Sequence, residues 1–92
     1  MKYRILAVDD QIENLQPTKQ LLESWGYTVD AVLSGEDGVN LARNPLTNYA
    51  VALLDYNMPG MNGFETAAEI QKYSPETVIL MYSCIDDREL LK

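Results

Sequence analysis

The chain has 92 residues, 47% hydrophobic and 23% charged, enough for one ordinary core and too short for two, so it reads as a single domain over residues 1–92. Fourteen acidic against seven basic residues leave a formal charge of -7 spread along the sequence. That balance argues against nucleic acid or an anionic membrane surface as the main partner, since both are bound chiefly by clustered Lys and Arg.

The first apolar run, "YRILAV" (3–8), is nearly continuous and turns acidic at Asp9 and Asp10, too early for the core of a signal peptide. A helix is predicted within residues 12–25, stopping at Gly26. Leu15, Leu21, Leu22 and Trp25 give it an apolar stripe expected to face the core. Pro17 lies beyond the first turn if this helix starts near Ile12, which predicts a kink or a later start. "YTVDAVL" (27–33) alternates in polarity and suits a strand at a sheet edge.

Ser34 is placed to cap a second helix running to about Asn44, with Asp37 in an imperfect capping box. "AVALL" (50–54) and "VILMY" (78–82) are continuous apolar runs that suit strands covered on both faces of a parallel sheet. Between them Asn62 can cap a third helix, "GFETAAEIQKY", which must end before Pro75. Asn57, Pro59 and Gly60 are turn formers, and Met58 and Met61 are expected to pack the loop. The single Cys84 has no internal disulfide partner and reads as a small buried hydrophobe, so the expected compartment is the reducing cytoplasm.

Strands alternating with helices predict an α/β fold with a parallel sheet and right-handed crossovers. In such sheets function gathers at the carboxyl ends of the strands, where the winding reverses. The first strand ends in Asp9 and Asp10, the third in Asp55 and the fourth in Ser83. If the first and third strands are neighbours, about 4.8 Å apart, the three acids fall around one space. Two carboxylates about 4 Å apart repel by roughly 4 kcal/mol at an effective dielectric of 20, so the group needs a proton or a cation. Hard oxygen ligands suit Mg²⁺, beside which a carboxylate can take up a phosphoryl group while the Ser83 hydroxyl donates to its oxygens.

An acidic pair after the first strand, "DYNMPGMNG" (55–63) with its D-x-x-M-P-x-M-x-G signature, and a Ser after the fourth strand together resemble the receiver domain of bacterial response regulators. The resemblance covers residues 1–92 and implies a flavodoxin-like, doubly wound sheet of order 2-1-3-4. It implies Asp55 as phosphoacceptor from a phosphohistidine of a sensor histidine kinase. Asp10 would bind Mg²⁺ directly, Asp9 through water and Asn57 through its backbone carbonyl, with Ser83 as the switch hydroxyl. The family continues with a fifth strand, whose terminal Lys pairs with the phosphate, and a fifth helix. The expectation here is a chain that stops before them, at "DDRELLK", leaving the fourth strand as an apolar edge that favours self-association.

Other readings fit less well. A calcium loop of EF-hand type starting at Asp55 meets Pro59 at its fifth position and Thr66 where a bidentate Glu belongs. An aspartyl phosphatase with a D-x-D motif finds Asn57 in place of the second acid. A receiver relative that only binds protein, and is never phosphorylated, leaves the acids and Ser83 without a purpose.

Overall fold

The computed structural model describes residues 3–82. Four strands, β1 (Arg4–Val8), β2 (Thr28–Val32), β3 (Tyr49–Asp55) and β4 (Val78–Tyr82), alternate with three helices, α1 (Ile12–Ser24), α2 (Gly35–Arg43) and α3 (Gly63–Tyr73). The strands form one sheet of order β2-β1-β3-β4 in which every neighbouring pair is parallel. This is the expected doubly wound, flavodoxin-like arrangement, with four strands among the described residues. The winding reverses between β1 and β3, so the crevice that such a reversal opens lies at the ends carrying Asp9, Asp10 and Asp55.

The larger core lies under α2 and α3. Leu6 and Val8 of β1 and Ala52 and Leu54 of β3 meet Val39, Ala42, Ala67 and Ile70 there. On the other face Ile5, Ala7 and Val29 pack against Leu15 of α1, with Leu22 partly buried beside them. Leu21 and Trp25, expected in the core stripe, are instead exposed. The reason is angular: at 3.6 residues per turn Leu22 falls almost directly above Leu15, while Leu21 and Trp25 rotate off that line. Nor does α1 start late, since it runs from Ile12 with Pro17 inside it.

The alternating run at 27–33 does supply an edge strand, β2. β4 departs from the expectation of two covered faces: Ile79 and Met81 are partly buried against the larger core, whereas Val78 and Leu80 are exposed. Both helix caps form as anticipated. The Ser34 hydroxyl accepts the Asp37 amide at 3.1 Å. Asn62 goes further and builds a full reciprocal box, in which its side chain accepts the Glu65 amide at 2.9 Å while Glu65 Oε1 accepts the Asn62 amide at 3.0 Å.

A polar tie crosses β2, β1 and β3. Asp30 Oδ2 accepts from Arg4 Nη1 at 2.8 Å and from the hydroxyl of buried Tyr49 at 2.6 Å. Burial pushes the Asp30 carboxyl up, but the hydrogen bonds from Tyr49 and Arg4 outweigh it and hold the group below its ordinary value of 3.8. Asp30→Ala is therefore expected to cost about 1–3 kcal/mol, chiefly by stranding the Tyr49 phenol. Because the folded value is depressed, this contribution is present above the ordinary carboxyl range and fades as pH falls through the lowered one. Thermal unfolding of both proteins between neutral and acid pH checks it: a difference that stays constant would exclude the carboxylate as its source.

Candidate functional site

Strand ends and register bring the acids together. Val8 pairs with Leu54 and Asp55 pairs with Tyr82, so the residues leaving β1, β3 and β4 meet at one edge of the sheet. Carboxylate oxygens of Asp9, Asp10 and Asp55 all lie within 4.8 Å of one another. Asp9 is 0% exposed and Asp55 2%. Asp9 Oδ1 accepts the Gln11 amide at 2.9 Å, and Asp9 Oδ2 accepts the Tyr82 hydroxyl at 2.6 Å. Asp55 Oδ1 accepts the Asn57 amide at 3.0 Å.

The electrostatics follow from this crowding. Burial pushes the Asp55 carboxyl above its ordinary value of 3.8; the Asn57 amide pulls it down, while the charges of Asp9 and Asp10 push it further up. Asp10 Oδ1 is buried with no hydrogen-bond partner among the described residues. A buried carboxylate oxygen left without a donor is costly, and in a ring of three acids a divalent cation satisfies it best. The donor set consists of hard oxygens beside a partly open edge, which fits Mg²⁺, an ion that takes one or two carboxylates and keeps several waters.

The loop after Asp55 is shaped by the turn residues the sequence offers. Met58 is buried in the larger core and Met61 packs against it, which anchors the loop from below. Pro59 leads into Gly60 at φ 72°, the left-handed conformation that the third position of a type II turn requires. Helix α3 then begins tight against the strand, with the Gly63 amide donating to the Tyr56 carbonyl at 3.1 Å. Asn57 itself is exposed, its amide turned back onto Asp55.

The structure thus brings together Asp9, Asp10 and Asp55, with Asn57 adjoining through its amide. Ser83 and Cys84 lie outside the described residues. Sequence reasoning missed Tyr82, whose hydroxyl reaches Asp9. The signal was present in the period of two: Tyr82 follows Val78 and Leu80 on one side of its strand.

Comparison with known proteins agrees with this geometry. The response regulator receiver domain family matches residues 5–92. The transcriptional regulatory protein HprR of Escherichia coli is 32% identical over 87 residues, covering 92% of this chain and 38% of its own length. Among solved structures, a receiver domain protein from Methanospirillum hungatei superposes with a TM-score of 0.85 at 29% identity, covering 99% of this chain and 72% of that one. TrrA of Thermotoga maritima, solved in complex with Mg²⁺-BeF, gives 0.79 at 32% identity, covering 98% of this chain and 76% of that one. The chain spans well under half of HprR and of the cyanobacterial regulator RppA, of which it covers 37%. With the family match running over nearly all of its length and three carboxylates meeting where the sheet reverses, the chain belongs to the response regulator receiver domain family.

Proposed function

We propose that Asp55 is a phosphoacceptor, taking a phosphoryl group from a phosphohistidine on a sensor histidine kinase. The observation that carries this reading is the placement of a nearly inaccessible Asp55 within 4.8 Å of two further carboxylates at the sheet's switch point. Asp9, Asp10, Asp55 and the backbone carbonyl of Asn57 would hold Mg²⁺. When bound, that ion supplies charge neutralisation for the incoming phosphoryl oxygens.

The protein's own part is orientation. The Asn57 amide fixes one oxygen of Asp55, and the other attacks phosphorus. The new O–P bond forms as the P–N bond to the donor imidazole breaks, and the imidazole leaves with the electron pair. Asp9, one oxygen of which accepts the Gln11 amide, forms the opposite wall. Ser83, the residue that follows Tyr82 in the sequence, would be the hydroxyl that senses the product. The chemistry is a single transfer to the protein itself, and the likeness to TrrA, solved in complex with Mg²⁺-BeF, supports the reading.

Incubation with acetyl phosphate and Mg²⁺ should add the mass of one phosphoryl group at Asp55. The label should be removed by hydroxylamine and prevented by EDTA. Labelling elsewhere, or none under conditions where a known receiver is labelled, would overturn the assignment and favour a receiver relative that only binds protein.

A further inference from the structure

Tyr82 lies where neither the acids nor the metal account for it. β1 and β4 are both neighbours of β3, so their axes are about 9.6 Å apart, two steps of roughly 4.8 Å. Yet the Tyr82 hydroxyl bonds Asp9 Oδ2 at 2.6 Å. To do so its side chain must cross the end of β3, where its own register partner is Asp55. Leu53 and Leu80 pair two residues earlier on the same side, so Asp55 and Tyr82 project side by side, and the reach of the phenol to Asp9 runs beside the acceptor residue. The burial agrees: Asp9 and Asp55 are almost inaccessible, while Tyr82 remains 36% exposed, as a residue with one face to solvent and one to the pocket should be.

We infer that Tyr82 is a positioning residue that latches the acid pocket: its hydroxyl ties to Asp9 across Asp55, and the tie must open before a hydrated cation and a phosphodonor reach the acceptor. This rests on the phosphoacceptor reading above and adds to it a control on access. A hydrogen bond to a carboxylate is stronger than one between neutral groups. Breaking the tie on metal binding therefore sets part of the apparent Mg²⁺ affinity, and the position of the ring sets part of the labelling rate.

The test is calorimetric titration with Mg²⁺ of the wild-type protein and of Tyr82→Phe, which keeps the ring and removes the hydroxyl. Loss of the tie should tighten Mg²⁺ binding by roughly 3- to 10-fold, the share of a charged hydrogen bond that binding no longer has to break. A phenol that merely supports the fold, or that prepares Asp9 for the ion, predicts unchanged or weaker binding, and either result overturns the latch. Should the variant fold poorly, the wild-type protein still reports. Mg²⁺ should give a tyrosine ultraviolet difference spectrum of the kind expected when a phenol loses a carboxylate acceptor, and its absence counts against the latch. Equal binding by both proteins removes the latch and leaves the phosphoacceptor reading intact. No binding by either removes both.

Discussion

Asp55→Asn should abolish phosphoryl labelling and, at the same time, make the metal-free protein more stable. The amide keeps an oxygen for the Asn57 amide, which donates to Asp55 Oδ1 at 3.0 Å, so the loop is retained. What it loses is a negative charge within 4.8 Å of Asp9 and Asp10. At that separation each ionised pair repels by roughly 3.5 kcal/mol for an effective dielectric of 20. Partial protonation and solvent relieve much of this, and a net gain of about 1–2 kcal/mol at neutral pH is expected. In a domain of this size that is a rise in Tm of roughly 4–16 °C.

The pH dependence fixes the cause. The folded carboxyl of Asp55 lies above its ordinary value of 3.8, so the native state binds this proton more tightly than the unfolded chain does. The stability contributed by the group is full below the ordinary value and is lost as pH rises through the raised one. Wild type and Asp55→Asn should accordingly be closest in acid and diverge as the carboxyl ionises. Mg²⁺ should close the gap by stabilising the wild type more. Thermal unfolding in EDTA from acid to neutral pH, repeated with Mg²⁺, reads all three. A variant no more stable than wild type at neutral pH would show that the acids do not strain one another.

Much of this site was legible in the sequence because its acids directly follow the most easily read elements. "YRILAV" and "AVALL" supply the two central strands, in which Ile5 to Val8, Ala52 and Leu54 are buried and Val51 and Leu53 partly so, and strands flanked on both sides run apolar through their centres. "VILMY" looked the same but alternates in exposure, because α1 packs against β1 and β2 and leaves Val78 and Leu80 uncovered among the described residues. That distinction depends on which helix covers which strand, and the run itself does not encode it. The position of Leu21 was lost for a related reason: apolar residues mark a stripe, but the rotation that separates Leu22 from Leu21 selects which of them the sheet receives. The Asp30 tie to Arg4 and Tyr49, and the reach of Tyr82 to Asp9, join residues 19 to 73 positions apart. Such contacts follow from register, which a single sequence leaves open.

Gly63→Ala should cost both stability and labelling, and the pairing of the two losses is what matters. A Cβ at position 63 would sit 2.8 Å from the Asp55 carbonyl oxygen and 2.8 Å from Tyr56 Cα, with Met81 Sδ at 3.2 Å. The first two are backbone atoms at the end of the acceptor strand and in the residue after it, and cannot rotate away. Either α3 is pushed off the end of β3 or the Asp55–Asn57 turn moves with it. Overpacking of this kind costs about 1–3 kcal/mol, and what alanine gains over glycine in helix propensity, at most about 1 kcal/mol, is smaller at a first helical residue. A shift of the turn also misplaces the attacking oxygen, and a displacement near 1 Å can lower a rate by roughly a hundredfold. Gly38→Ala provides the contrast. Its nearest obstacle is the side-chain Cγ2 of Val8 at 2.9 Å, in the larger core and not in the backbone of the acceptor turn, so it should lose comparable stability while labelling at close to the wild-type rate. Thermal unfolding together with acetyl phosphate labelling separates the two variants. If Gly63→Ala labels as fast as Gly38→Ala, the start of α3 does not set the geometry of Asp55, and the glycine matters only for packing.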